Sequence, residues 1–504
     1  MVDYPFAPSD VAHYQRTVQA APDVLDGQTW DDLLLTQYCA TLAPGASILG
    51  QQELHRRLQA PADASRAAAA VRVQALVADP NARQRLQAAC HGLRTVDREV
   101  SEVLFGAPLA PAPKWTPVLA WVPLAFLASI VLALVTGWLP LGGLALVLWL
   151  ALMAIQVRFH EAAAQWQRVL DTIGHMLRAH VLLAGLDDEA AALLRTDAGA
   201  AGKLNRSLSH WPLWDMLGAR DYGDWVWLRN IRHYFATRET VRRQLPLLRS
   251  SFERVAAIDA DVTLARHLAQ TPLYCWAQHG NDLGFDQAVH PLLAEPAPLS
   301  LKLGGGGGRQ GAFISGQNGI GKSTLLRTVG LNLVTARAFG FCYAAAAVTP
   351  QLPVYSSMQT EDALASGESL YVAEVRRAGE LLALAARAPA VFLIDEIFRG
   401  TNHLESVSAA TAVLDTLATS GRVLVSSHNL ILAPLLARRL APLCVARVEG
   451  RLRVTPGVLK ETNGITLLAT IDASGALSTK ARSVHARLGD YYRSYPGAVE
   501  AVLD

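Results

Sequence analysis

The sequence predicts a multidomain α+α/β chain: a helical core interrupted by a two-helix transmembrane hairpin, followed by an α/β domain on a largely parallel sheet. Three observations lead there. The 43 residues from Trp115 to Val157 contain no charge. On either side of them, as far as about Ala277, the chain carries Ala-, Leu- and Arg-rich helical patterns with few β-branched runs. Beyond Phe285 the texture changes to short apolar runs bounded by turns and alternating with helical patterns, as in α/β units.

Composition sets the limits. At ~100 to 200 residues per domain, 504 residues hold about three units with room for large cores. The 45 Lys+Arg against 43 Asp+Glu argue against a histone-like or tail-driven nucleic-acid binder, so any basic surface is local. Hydrophobic residues at 51% with only 17% charged point to lipid contact for part of the chain. The five cysteines (Cys39, Cys90, Cys275, Cys342 and Cys444) are scattered and form no C-x-x-C pair, which indicates a reducing compartment and neither a disulfide framework nor a zinc site.

The charge-free run, at ~1.5 Å per helical residue, is about twice the ~30 Å thickness of a bilayer core, which suits two spans. The break is expected at Gly137-Trp138-Leu139-Pro140, with Trp115, Trp121 and Trp149 toward the headgroups. Positive residues at Arg94, Arg98, Lys114, Arg158 and Arg168 favour a cytoplasmic location for both flanks. The expectation is a multi-pass protein of the cytoplasmic membrane with its α/β domain in the cytoplasm. About 114 mostly polar residues precede the run, so it is no signal peptide. Farther on, Trp211 to Arg249 mixes aromatic residues with Arg220, Arg229, Arg232, Arg238, Arg242, Arg243 and Arg249. That stretch reads either as a phosphate-tracking surface or as an amphipathic face with snorkelling arginines.

The sharpest signal is Gly316-Gln317-Asn318-Gly319-Ile320-Gly321-Lys322-Ser323, a full G-x-x-x-x-G-K-[ST] between the strand Ala312 to Ser315 and a helix opening at Lys322. Its glycines let the backbone wrap a polyphosphate, and Thr324 completes the nucleotide-binding set. Lys322 would reach the β/γ-phosphates and Ser323 would ligate Mg²⁺. A second apolar strand, Val391 to Ile394, ends in Asp395-Glu396, with Asp395 for the metal shell and Glu396 to orient or deprotonate water. A third, Val423 to Ser426, ends near His428, placed to contact the γ-phosphate from the other side. The cofactors implied are a nucleoside triphosphate and Mg²⁺, and the catalytic candidates are Glu396, Lys322 and His428.

The same residues carry a family resemblance. Asp395-Glu396-Ile397-Phe398-Arg399-Gly400-Thr401-Asn402 resembles the D-E-I-x-R-G-T-[ST] element of the MutS family of DNA mismatch repair ATPases, of the ABC ATPase class, with Asn402 the departure. Residues 362–374 resemble the family's signature, retaining Asp362, Leu364, Gly367, Ser369 and Glu374 but not its residues at Ala363, Leu370 and Tyr371. The phosphate loop is similar to the family's G-P-N-M-G-G-K-S, differing at Gln317, Gly319 and Ile320, and His428 falls at the switch histidine. Thr29-Trp30, Ile258-Asp259-Ala260-Asp261 and His290-Pro291-Leu292-Leu293 resemble weaker stretches of the helical core and the start of the ATPase domain.

The resemblance makes the nucleoside triphosphate ATP and implies an ABC-type ATPase domain that dimerises head to tail, Gly367 and Ser369 completing the partner's site in trans. It implies DNA as a partner of the helical arms. The chain starts at what resembles the helical core, so the mismatch-reading domains are expected to be missing. Its one Phe-x-Glu triplet, Phe159-His160-Glu161, lies just beyond the apolar run and is taken as coincidence. The hairpin falls where the family inserts its DNA clamp. The expected domains are a helical core-like region at 1–113, the hairpin at 114–158, a helical lever at 159–280, the ATPase domain at 281–450 and a C-terminal segment at 451–504 that serves dimerisation. Two functions follow: a membrane-held repair or recombination ATPase acting on DNA, or a membrane-bound mechanochemical ATPase acting on a protein or the bilayer.

Overall fold

The computed structural model describes residues 6–18, 25–60, 64–209, 227–304, 309, 311–358, 369–448, 451–460, 477, 479–484 and 486. The chain is helical with mixed α/β sheets and divides into two compact units. One holds residues 1–20, 42–56 and 72–269, the other 21–41, 57–71 and 270–504.

The first unit is helical and is organised by one helix of 46 residues, Leu139–Ala184. Ala163, Trp166, Val169, Leu170, Ile173, Met176, Leu177, His180 and Leu183 are buried along it, a 3–4 spacing that gives one apolar stripe. Against it pack Pro80–Cys90, Ala198–Leu208 and Arg229–Arg243. Asp79 caps the first of these, its Oδ1 accepting from the amides of Asn81 and Ala82, with Pro80 in the first turn. His180 is fully buried and satisfied on both ring nitrogens, 2.9 Å from Ser251 Oγ and 2.9 Å from the Leu194 carbonyl. On the helix Leu245–Gln270, buried Asp259 accepts from the amide and hydroxyl of Ser47, and Asp261 pairs with Arg72 at 2.8 Å.

The charge-free run forms the helix Val122–Thr136 and the start of the long helix. Gly137 closes the first at φ 66, a left-handed conformation suited to glycine, and Pro140 sits in the first turn of the second. The expected two spans are not both present as such. Among the described residues one helix, Leu139–Ala184, is long and apolar enough to cross a membrane, and Val122–Thr136 has only 15 residues. The helix also continues through Arg158, where the hairpin was expected to end, because a charge on a helix surface does not terminate it and no proline intervenes. The apolar surface is nonetheless bare: Leu134 is 80% exposed, Leu139 88% and Leu146 56%. Phe159 packs among Trp115 and Phe235, so the Phe-x-Glu triplet belongs to a local core.

In the second unit the strands are β1 (Cys275–Trp276), β2 (Gln278–His279), β3 (Leu283–Ala288), β4 (Leu299–Leu303), β5 (Gly311–Gly316), β6 (Phe341–Cys342), β7 (Ala346–Thr349), β8 (Val354–Ser357), β9 (Val391–Asp395), β10 (Arg422–Ser426), β11 (Leu440–Val448) and β12 (Arg451–Pro456). The main sheet has the order β12-β11-β5-β10-β9-β8, parallel throughout except for β12 at one edge. A smaller sheet runs β2-β7-β3-β4, and β1 pairs with β6. The helices Lys322–Phe339, Leu370–Ala385 and His403–Ser420 connect the strands. β5 and β9 are buried along their whole length, as continuous apolar runs in a two-sided parallel sheet require. Phe313, Phe392, Ile394, Leu414, Val423 and Val425 form the core.

An N-terminal segment belongs to this unit. Thr29 Oγ1 accepts from the Ser356 amide at 2.8 Å, and an Asp32 oxygen accepts from the Ser356 hydroxyl at 2.6 Å and the Met358 amide at 2.9 Å. Arg377 is buried and bonds Asp26, Glu380 and the Ser356 carbonyl. Burial raises the Asp32 pKa above the usual carboxylate value, with those hydrogen bonds and Arg377 opposing it.

Candidate functional site

The site lies at the carboxyl ends of three adjacent parallel strands, where open α/β sheets bind ligands. β5 turns at Gly316 into an exposed loop, Gln317-Asn318-Gly319, and the helix begins at Lys322. Gly319 (φ 74) and Gly321 (φ 107) occupy backbone conformations that an L side chain resists, and a Cβ on either would meet no atom within 4 Å. The loop therefore presents open backbone at the start of an 18-residue helix, whose dipole favours an anion there. Lys322 is buried, and its Nζ donates to the carbonyls of Gly316 at 3.0 Å and Gln317 at 3.2 Å. Burial lowers its pKa, while the charges of Asp395 and Glu396 pull the other way. Ser323 is half-buried, Ile320 is half-buried and Thr324 is exposed.

β9 and β10 bring the acidic residues. Asp395 ends β9, is buried, and accepts from the Ser426 hydroxyl at the paired position on β10. Glu396 follows at φ 58 and Phe398 at φ 56, two non-glycine residues in the left-handed region within three positions. Such conformations cost about 1–3 kcal/mol each and mark places where the surrounding fold holds a side chain in a required direction. The Glu396 amide donates to the Ser426 carbonyl at 2.9 Å, and the carboxylate lies 2.9 Å from His428 Nε2 and 3.2 Å from Arg399 Nη1. Lys322, Asp395, Glu396 and His428 thus occupy one end of the sheet.

Behind Glu396 the loop is latched. Arg399 Nε lies 3.5 Å from Glu374 Oε1, and the Gly400 amide donates to Glu374 Oε2 at 3.3 Å. A Cβ on Gly400 would come within 2.7 Å of the Tyr371 amide nitrogen, so glycine is required for that approach. Asn402 caps the following helix, its Oδ1 accepting from the Glu405 amide at 3.0 Å. The departure from Ser or Thr there preserves the capping chemistry.

Ser369 is exposed and caps its own helix, with its hydroxyl accepting from the Val372 amide at 3.4 Å. Gly367, Asp362 and Leu364 lie outside the described residues, as do Trp211, Arg220 and most of the C-terminal segment 451–504. Sequence reasoning singled out neither Ser426, which holds Asp395, nor the Arg399–Glu374 latch. Arg399 and Glu374 each stand in a family-like motif, but nothing in the sequence pairs them, and Ser426 reads only as the polar end of a strand.

Residues 312–480 match the model of MutS domain V. The chain is 29% identical over 282 residues to the DNA mismatch repair protein MutS of Thermus aquaticus, covering 54% of this chain and 34% of that protein. It is 27% identical over 206 residues to the DNA mismatch repair protein MutS 1 of Haloarcula marismortui, covering 39% and 22%. Over 117 residues it is 35% identical to the DNA mismatch repair protein MutS of Thermotoga neapolitana, covering 23% and 14%. The alignments thus span at most about a third of the length of these curated relatives.

Proposed function

We infer that the chain belongs to the MutS family, which the domain V match and the likeness to MutS proteins over half the chain support, and we propose that it is a membrane-anchored, DNA-binding ATPase. The observation that carries the proposal is the convergence of the phosphate loop, Asp395, Glu396 and His428 at one end of a parallel sheet. The open backbone at Gly319 and Gly321 and the buried ammonium of Lys322 fit a magnesium–nucleotide complex.

In this reading the amides of residues 316–321 and Lys322 bind the β- and γ-phosphates of ATP. Lys322 exchanges its two carbonyl partners for phosphate oxygens. Ser323 and Asp395 would hold Mg²⁺, which when bound neutralises charge on the transferring phosphoryl group. Ser426 fixes the Asp395 carboxylate. Glu396 orients water for in-line attack and accepts its proton, and His428 and Arg399 hold the carboxylate by its two oxygens. ATP closes a head-to-tail homodimer in which Gly367 and Ser369 complete the partner's site, and hydrolysis resets it. The exposed apolar surface of Val122–Thr136 and of the first residues of Leu139–Ala184 supports an anchor in the cytoplasmic membrane with the ATPase domain in the cytoplasm.

A second reading is a membrane-bound mechanochemical ATPase that acts on a protein or the bilayer without DNA. The unbroken helix from the apolar segment into the core of the N-terminal unit favours it, because a rigid rod transmits motion. One experiment separates the two: turnover of the detergent-solubilised protein with homoduplex, mismatched and branched DNA at two salt concentrations, with Glu396→Gln as background. Glu396-dependent turnover stimulated by DNA and weakened by salt supports the first. Indifference to every DNA supports the second, and turnover that survives Glu396→Gln overturns the assignment of the site.

A further inference from the structure

We propose that the base of the apolar hairpin is a binding surface for anionic phospholipid headgroups, built by Lys114, Arg158 and Arg232. The inference rests on the membrane reading above and deepens it. Trp115, Phe159 and Phe235 form one aromatic cluster, with ring centroids 5.9 Å (115–159), 5.5 Å (115–235) and 5.4 Å (159–235) apart. That cluster brings three segments to one level: the chain just before the hairpin, the long helix, and the arginine-rich helix Arg229–Arg243. Lys114 adjoins Trp115, Arg158 adjoins Phe159, and Arg232 stands one turn before Phe235. All three are exposed.

On one side of this level lies bare apolar surface. Trp121 is exposed by 69%, and Trp149, Leu150 and Val157 are exposed as well. Leu228 and Ile231, at the start of the arginine-rich helix, pack with Leu119 and Leu152 of the hairpin. Tryptophans beside cations at the edge of an apolar band are what a membrane–water interface selects.

None of the ion pairs among the described residues involves Lys114, Arg158 or Arg232. Farther along the same helix the arginines are occupied. Arg238 bonds the Tyr234 hydroxyl at 3.1 Å and lies over its ring, while Arg242 and Arg243 share Glu239 at 2.7 Å each. Glu161, three residues beyond Arg158 on the long helix, is exposed and accepts from Gln165 Nε2 at 3.2 Å. A surface that tracks a DNA backbone needs uncompensated charge spread along its length. Lys114, Arg158 and Arg232 stand instead at the foot of an apolar hairpin, where anionic headgroups are the complementary partner.

The test uses the full chain in neutral detergent, titrated with phosphatidylglycerol, with phosphatidylcholine, and with duplex DNA at matched ionic strength. Bound lipid is read by native mass spectrometry and by the shift of the melting temperature. The expected result is preferential retention of phosphatidylglycerol, weakened about a hundredfold in the triple variant Lys114→Gln, Arg158→Gln, Arg232→Gln and largely kept in Arg232→Lys. A triple variant that melts as the wild type in detergent alone yet retains phosphatidylglycerol unchanged overturns the proposal. Should it fail to fold, single Arg232→Gln and Arg158→Gln variants carry the same comparison. DNA binding lost in the variants while lipid retention persists also overturns it, in favour of a nucleic-acid surface. Insertion into phosphatidylcholine vesicles, read by resistance to carbonate, separates the two levels: insertion without anionic preference sinks only the headgroup surface, and no insertion into any vesicle sinks the anchor itself.

Discussion

His428 Nε2 lies 2.9 Å from Glu396 Oε1, and the second oxygen of that carboxylate lies 3.2 Å from Arg399 Nη1. Glu396 is thus held by both oxygens at a backbone conformation, φ 58, that glutamate rarely adopts. On the proposed mechanism, Glu396→Gln lowers kcat by about 10²- to 10⁴-fold with nucleotide affinity preserved. His428→Ala leaves the carboxylate in place but less directed, and its expected effect is a smaller loss confined to kcat. Single-turnover hydrolysis alongside equilibrium binding of a fluorescent nucleotide checks both. A His428→Ala variant whose defect lies in affinity alone would assign that histidine to ground-state binding.

Arg377 anchors the N-terminal segment of the C-terminal unit through Asp26 and the Ser356 carbonyl. Asp26 and Glu380 reach solvent, but removing Arg377 leaves the buried Ser356 carbonyl without its charged donor, so Arg377→Leu is expected to cost about 1–3 kcal/mol. Arg377→Lys does not restore it, because one ammonium cannot span Asp26, Glu380 and Ser356 as the guanidinium fork does. Urea unfolding of the three proteins gives the comparison, and a Lys variant as stable as the wild type would refute the geometric part.

Burial, assisted by Arg327, lowers the pKa of His290 from 6.5 to about 4. The unfolded chain therefore binds more protons between those values, and the contribution of this residue to stability, complete above pH 6.5, is lost as pH falls toward 4. His290→Asn retains an acceptor for the Leu292 amide, which now meets Nδ1 at 3.4 Å, and should flatten the fall in melting temperature between pH 7 and pH 5. Part of the acid sensitivity persists, since His55 in the other unit is also lowered to about 4 by burial. An unchanged slope would refute the assignment.

Leu146 is 56% exposed on the long helix. In water an exposed Leu→Arg change moves stability by within about 0.5 kcal/mol. At the centre of a bilayer it costs about 2.5–3.5 kcal/mol by insertion scales. Leu146→Arg is accordingly expected to reduce the carbonate-resistant fraction while leaving the melting temperature in detergent unchanged. Equal membrane retention of both proteins would remove this helix from the bilayer.

The elements around the site were legible because their boundaries carry local chemistry. The strand expected at Ala312 to Ser315 lies within β5, the runs Val391 to Ile394 and Val423 to Ser426 lie within β9 and β10, and helices open at Lys322 and Leu370. A glycine before Lys322 and a serine before Leu370 are residue types that favour helix starts, and the structure uses them as a left-handed N-cap and a side-chain cap. Two features left no such trace. Thr29 and Asp32 reach Ser356 through single polar contacts more than 300 residues apart in sequence, which no periodicity encodes. The long helix passes Arg158 without interruption because nothing in the residues after it breaks a helix, whereas the composition changes sharply there.

That helix has a biosynthetic consequence. Its first 19 residues, 139–157, carry no charge and expose Leu139, Leu144, Leu146, Val147, Trp149, Leu150 and Val157, while its remainder supplies the central stripe of the N-terminal unit. On the membrane reading, a translocon must take up the leading part of a single rod whose trailing part belongs in water. The partner helices Arg229–Arg243 and Leu245–Gln270 are synthesised only later. The N-terminal unit then closes its core after insertion is complete, so nascent chains released before Gln270 should be membrane-held yet protease-sensitive, and longer ones protected.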